Sequence, residues 1–193
     1  MTSGIILAGG FSSRMGQNKA ELDFHGQSLL EFQIDKLRRL GLEDIVVAGF
    51  LSSKAGVRFM PDLYPHRGPL SGLHAGLLAV RGTEALVLAV DTPLVPEALL
   101  SMLLSRHRGG ITVVSCNGEI EPLIGVYDKA LAANCESLLQ GENRSLRQLL
   151  RQTAVTTLDY NGDPALLMNC NTEAEYRKAL SCCRHVSGRD FPG

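Results

Sequence analysis

The sequence predicts a three-layer α/β sandwich: a mainly parallel sheet with helices on both faces. Three observations lead there. Short apolar runs alternate with stretches of helical periodicity for most of the chain. One run, ALVLAV at 85–90, is apolar throughout, which suits a central parallel strand covered on both sides. No linker, internal repeat or low-complexity tract interrupts the 193 residues, so one domain is the economical reading.

The first strand is expected at 3–8, around Ile5-Ile6-Leu7, and a glycine-rich loop follows it. From Ser28 the apolar positions Leu30, Ile34, Leu37 and Leu40 recur at helical spacing, and Gly41 is a natural stop. Strands follow at 45–49 and 57–60, the latter ending at Pro61-Asp62. Beyond Gly68-Pro69 a helical stripe runs through Leu70, Leu73, Leu77 and Val80. The strand at 85–90 stops at Asp91-Thr92-Pro93, and Pro96 opens a helix reaching Leu104. Strands at 111–116 and 123–127 precede helices at 129–139 and 145–152, then a strand at 155–160. Thr172 and Glu175 form a capping box for a last helix, expected to end near Ser181. The domain is thus read as 1–181, with 182–193 a patternless tail expected to be mobile.

Composition excludes several classes. Lys plus Arg is 19 against 20 for Asp plus Glu, with none of the basic surplus of a nucleic-acid binder. A small polyanion stays open as a ligand, since a few local cations suffice. The five cysteines are irregularly spaced and form no CxxC, which fits a reduced cytoplasmic protein better than a disulfide scaffold or zinc finger. Cys182-Cys183 with His185 lacks the ligands of a tetrahedral site, so any metal there would be adventitious. No signal-peptide pattern and no membrane-length apolar run is present.

LAGGFSSRMGQNK, from Leu7 to Lys19, concentrates the chemistry. It fits neither GxGxxG nor GxxxxGK[ST]. Gly9, Gly10 and Gly16 nonetheless allow close backbone approach, and convergent N–H groups in such a turn bind phosphate. Arg14 offers a planar fork of donors, Lys19 a compact charge, and Ser12 and Ser13 further hydrogen bonds. A solvated connecting loop is the plainer alternative. In open parallel sheets ligands sit beyond the carboxyl ends of the strands, so the loop after Ala8 and the acid at Asp91 are expected at one rim. Asp91 alone could equally be a turn or cap residue.

The loop resembles the signature of nucleotidyltransferases that activate pterins, sugars and related phosphates. Within that superfamily the chain most closely resembles the molybdenum cofactor guanylyltransferases, the MobA family. The likeness continues in HGQSLLEF (25–32), GPLSGL (68–73), VDTPLVP (90–96), EPLIGVY (121–127) and NCNTEAEY (169–176). It implies a Rossmann-like fold of the nucleotide-diphospho-sugar-transferase type. It also implies transfer of GMP from GTP to the phosphate of molybdopterin or Mo-molybdopterin, with release of pyrophosphate and help from Mg²⁺. On this resemblance Leu7, Ala8, Gly9 and Gly10 contact nucleotide, Lys19 and Arg14 hold its phosphates, Asp62 touches GTP, and Asp91 coordinates Mg²⁺. Arg14, Lys19 and Asp91 form the catalytic set. One carboxylate can suffice for Mg²⁺, because waters and phosphate oxygens complete its octahedron. Asn169 and Asn171 fall on the acceptor side, where amides can match the donors and acceptors of a pterin; turn formation is the alternative. Asp62 could accept from guanine N1–H and the 2-amino group, or simply shape a turn. Other cofactor-biosynthesis proteins and recipient apoenzymes are implied as partners, with no nucleic acid and no membrane.

Relatives that use CTP often carry LAAG where this chain has LAGG, so Gly9 leaves room for a purine. The chain departs from the family at Ala48-Gly49, where some members place an Asn against the nucleotide. A CTP-dependent cytidylyltransferase, a sugar-phosphate nucleotidyltransferase, or a non-catalytic accessory protein that binds nucleotide are the alternatives. The five histidines have no metal-ligand spacing and are read as packing or surface residues. Glu119 and Glu121 share a strand face and are read as solvated or weakly functional; the helical face of Arg144, Arg147 and Arg151 is read as solvated, with a basic face for an anionic substrate or partner protein as the alternative.

Overall fold

A computed structural model of the chain describes residues 1–9, 18–54, 56–142 and 144–186. Gly10, Ser12, Ser13, Arg14 and Gly16 of the glycine loop lie outside the described residues, as does the chain beyond Val186. Seven strands form one sheet. They are β1 (Thr2–Leu7), β4 (Ile45–Ala48), β5 (Arg58–Met60), β6 (Glu84–Ala89), β7 (Ile111–Cys116), β8 (Glu119–Asp128) and β9 (Val155–Asp159), in the order β5-β4-β1-β6-β8-β7-β9. Two short strands, β2 (Asp23–Phe24) and β3 (Gln27–Ser28), make a separate hairpin. All pairings in the large sheet are parallel except those of β8, which runs antiparallel to both β6 and β7.

The reversed strand has a local cause. β7 and β8 are joined by Asn117-Gly118 alone, both at positive φ (52° and 79°). A two-residue turn of that shape matches the natural twist of a hairpin and forces its strands antiparallel. It also explains why β8 begins at Glu119, earlier than the expected strand at 123–127.

Among the described residues six α-helices cover the sheet: α1 (Leu29–Arg39), α2 (Pro69–Ala79), α3 (Glu97–Arg106), α4 (Ala132–Gln140), α5 (Leu146–Gln152) and α6 (Glu173–Val186). Neighbouring strand residues point to opposite faces, so Ile5 and Ile6 serve different cores. Ile6, Val47, Leu86 and Leu88 pack with Ile34 and Leu37 of α1 and Leu100 and Leu103 of α3. Ile5, Val46 and Val87 pack with Leu73 and Leu77 of α2, Cys135 of α4 and Leu149 of α5. This is the three-layer arrangement expected from the alternation. A smaller cluster seats Tyr176 and Ala179 of α6 on Phe24 and Leu29. α6 continues to Val186, past the expected stop at Ser181, because no glycine or proline breaks the helix before Gly188.

The expected box at α6 has the reciprocal form, and the structure adds a second one at α1. Ser28 and Glu31 close the start of α1, and Thr172 and Glu175 close the start of α6. α1 also fixes the turn after β6. Its Gln33 donates to the Ala89 carbonyl at 3.1 Å, and its Lys36, 3% exposed, donates to the carbonyls of Pro93 and Val95 at 2.6 and 2.9 Å. A buried ammonium held this way stiffens the segment that carries Asp91. Replacing Lys36 by Met leaves those carbonyls without that donor. Unfolding in urea should register a loss of about 1–3 kcal/mol; an unchanged midpoint would remove Lys36 from this role.

Candidate active site

The rim is built by strands that end side by side. Leu7 pairs with Ala48 on one flank and Ala89 on the other. Ala8 N–H donates to the Ala48 carbonyl at 2.9 Å, and Val90 N–H to the Leu7 carbonyl at 3.0 Å. Beyond these bonds the three chain segments leave the sheet together and enclose a cavity of about 230 Å³. Leu7, Ala8, Gly9, Lys19, Asp62, Asp91 and Asn169 all line it, with Gly68, Pro69 and Gly72 at the mouth of α2.

Lys19 is the hub. It opens a short 3-10 turn (Lys19–Glu21) in which the Asn18 side chain accepts from the Ala20 N–H. Its ammonium donates to Asp91 Oδ2 and to Asn171 Oδ1, each at 2.6 Å. The two charged side chains are only 13% and 14% exposed. A second tie runs through the backbone: Cys170 N–H donates to the Asp91 carbonyl at 2.7 Å. Asn171 is set by the α6 cap, where Glu175 accepts from the N–H groups of Asn171 and Thr172 at 2.9 and 2.8 Å. The Thr172 hydroxyl and those N–H groups hold the Glu175 carboxyl below its ordinary range, with nearby Lys19 contributing.

Asp62 occupies the opposite wall among glycines. A Cβ on Gly9 would lie 3.4 Å from its Oδ2, and Cβ atoms on Gly49 and Gly72 would lie 3.4 and 3.6 Å from its Oδ1. Oδ1 is buried with no hydrogen-bond partner among the described residues. Burial pushes this carboxyl above the usual carboxylate range. Gly49 answers the departure noted at Ala48-Gly49. It sits at φ 82°, and a Cβ there would meet Gly9 Cα at 2.6 Å and Gly9 N at 2.7 Å. Any side chain at this position collides with the backbone of the glycine loop.

A second hollow, of about 400 Å³, lies further along the rim, lined by Cys116, Glu119, Glu121 and Met168 among others. Glu121 is half-buried rather than solvated, and burial together with neighbouring Glu119 raises its carboxyl. At the opposite end of the sheet, Glu84, His107 and Asp128 bring ligand-type atoms within 4.8 Å of one another. Sequence reading missed this group because its members are far apart in the chain. Among the described residues no helix is long and apolar enough to cross a membrane.

Comparison with known proteins shows the family and the fold. Residues 4–157 match the model of the MobA-like NTP transferase domain. A molybdenum cofactor guanylyltransferase of Xanthomonas euvesicatoria is 35% identical over 184 residues, covering 92% of this chain and 94% of that protein. A molybdopterin-guanine dinucleotide biosynthesis protein A from Archaeoglobus fulgidus superimposes with a TM-score of 0.79 at 22% identity, over 96% of this chain and 100% of that one. A Mycobacterium tuberculosis protein solved in complex with manganese superimposes with a TM-score of 0.70 at 18% identity, over 93% and 97% of the two chains.

Because the Asp62 carboxyl is raised, its ionised form is less favoured folded than unfolded. Stability on this account is greatest below the unfolded value near 3.9 and declines as pH rises through the raised one. At pH 7 the ligand-free Asp62→Asn protein should therefore unfold at a higher urea concentration than the parent. A lower midpoint would show that the carboxylate is better accommodated than its surroundings imply.

Proposed function

The chain belongs to the MobA-like NTP transferase family, and from that premise we propose that it is a molybdenum cofactor guanylyltransferase. The reaction takes GTP and the terminal phosphate of molybdopterin, with or without molybdenum already bound. An oxygen of that phosphate attacks the α-phosphorus of GTP. The bond between the α-phosphorus and the bridging oxygen breaks, and pyrophosphate leaves with the electron pair. The nucleophile is already anionic, so no strong general base is needed. The protein must hold two repelling anions in line and stabilise the charge that builds on the leaving group.

The observation that carries this reading is the contact of Lys19 with Asp91 and Asn171 at one cavity. It joins the glycine loop, the turn after β6 and the segment before α6, the three stretches that the reaction requires together. Lys19 has the reach and charge to exchange its present partners for phosphate oxygens. Asn169 and Asn171 are assigned to the acceptor side, and Arg14 is assigned to the phosphates from the loop outside the described residues. Asp91 suits a hard divalent cation: Oδ2 already faces an ammonium, and Oδ1 accepts no hydrogen bond among the described residues. Asp91 would hold Mg²⁺, which when bound neutralises phosphate charge.

Guanine is assigned to the wall formed by Asp62 and its glycines. A carboxylate there can accept from both N1–H and the 2-amino group. An alanine at position 9 would press its methyl towards that carboxylate. The buried, unpartnered Oδ1 gains a donor when such a base arrives.

Incubation with molybdopterin, GTP and Mg²⁺ should yield a guanine dinucleotide detectable by mass, with CTP and UTP poor substitutes. Binding of GTP without transfer would favour an accessory role instead. Lys19→Ala and Asp91→Ala should each lower turnover by about two powers of ten or more; near-normal rates would remove them from the chemistry. ITP, which lacks the 2-amino group, should be a weaker donor than GTP for the parent protein. In Asp62→Asn that preference should shrink, and an unchanged GTP-to-ITP ratio would relocate base recognition.

A further inference from the structure

The group at the opposite rim is more ordered than a chance meeting of acids. Glu84 and Asp128 face each other across β6 and β8, and His107 ends α3 beside them. His107 Nε2 lies 2.9 Å from Asp128 Oδ1 and 3.5 Å from Glu84 Oε2. Each of the three residues has its other polar atom already engaged. The Thr2 hydroxyl donates to Glu84 Oε1 at 2.6 Å, and Gly110 N–H donates to Asp128 Oδ2 at 2.6 Å. The Thr112 hydroxyl lies 2.9 Å from His107 Nδ1. The remaining atoms, His107 Nε2, Asp128 Oδ1 and Glu84 Oε2, come from three different elements and lie within 4.8 Å of one another, the first two already within hydrogen-bond distance.

That pattern is what holds a metal ligand set in place. An imidazole tied at one nitrogen presents the other in fixed orientation, and ligating carboxylates are themselves hydrogen-bonded. Ligand atoms about 2.0–2.2 Å from an ion are separated by about 2.9 Å at right angles and about 3.4 Å at tetrahedral angles. Of the separations at Nε2, the 2.9 Å to Asp128 matches the right-angle value and the 3.5 Å to Glu84 lies just beyond the tetrahedral one. The ring is buried at 2% exposure, whereas the two carboxylates are about one-third exposed, so an ion has a way in and room for a water ligand. One nitrogen and two carboxylate oxygens suit a borderline divalent ion such as Zn²⁺.

We propose that Glu84, His107 and Asp128 form a divalent-metal site of the Zn²⁺ class, separate from the catalytic rim. β6 separates the two: Glu84 opens the strand, and Asp91 lies just past its far end, about 20 Å away at strand rise. The ion does no chemistry on nucleotide. It clamps the end of α3 to the edges of β6 and β8 and, through Thr2 and Thr112, to β1 and β7. It therefore stabilises the folded chain by binding it and not the unfolded one.

The test uses the chelator-stripped full chain carrying Asp91→Asn, so that the carboxylate assigned to Mg²⁺ is absent. Zn²⁺ alone, without nucleotide, should titrate by calorimetry to one saturable site and raise the thermal midpoint. Adding His107→Gln or Asp128→Asn should weaken that binding at least about tenfold. Co²⁺ should bind without the charge-transfer band of a thiolate, which separates this site from Cys182. In the unmutated chain, substoichiometric Mn²⁺ should broaden the amide signals of Gly110 and Thr112, a readout independent of whether any variant folds. Absence of saturable binding, equal affinity in both variants, a thiolate band, or sharp Gly110 and Thr112 signals would each overturn the proposal. The group would then be only a hydrogen-bonded cluster of one imidazole and two carboxyl groups.

Discussion

The ammonium of Lys19 draws three distant parts of the chain together at the rim. Lys19, Asp91 and Asn171 come from the beginning, middle and end of the chain, and nothing local makes them neighbours. Their meeting depends on β1 and β6 lying adjacent in the sheet and on α6 docking over the first hairpin. The pair is largely shielded from water, where charge attraction is strong but the loss of hydration is also large. Such a contact is weak evidence for stability. It is better understood as a preset arrangement that a phosphate can enter by exchange, because the cation is already stripped of most of its water.

The supporting layer beneath this contact is ordinary fold chemistry used with unusual economy. Gln33 and Lys36 sit on the buried face of α1, where apolar side chains would pack more cheaply. They instead fasten the turn that presents Asp91. Asp44, which is buried, and Asp62, which is half-buried, show opposite outcomes of desolvation. At Asp44 burial pushes the carboxyl up, but hydrogen bonds from Ser3, Arg81 and Arg58 together hold it below the usual range. Asp62 has partial burial, and its Oδ1 has no such partner among the described residues. The first carboxylate is fully satisfied by its neighbours; the second is left wanting a donor among the described residues.

Much of this was legible in the sequence because the informative signals are short. The glycine loop, the continuous apolar run before Asp91 and the Thr172–Glu175 box each declare themselves within a few residues. Asn117-Gly118 is equally short and is a strong hairpin signal, yet it passed unread, so the one reversed strand came from the structure. The remaining features depend on distance in space. No periodicity reveals that Gly49 touches Gly9, that Asp62 is walled by three glycines, or that His107 lies between Glu84 and Asp128. Those contacts follow from strand order and crossover path, which local patterns do not encode.

The contact between Gly9 and Gly49 also limits how this rim can change over generations. A methyl on Gly49 would overlap the loop backbone at 2.6 Å, whereas one on Gly9 needs its neighbours to yield only slightly. The two positions are therefore not free to drift independently. Substitution at 49 becomes tolerable only after the loop itself has moved, so mutational paths through this corner run in a fixed order.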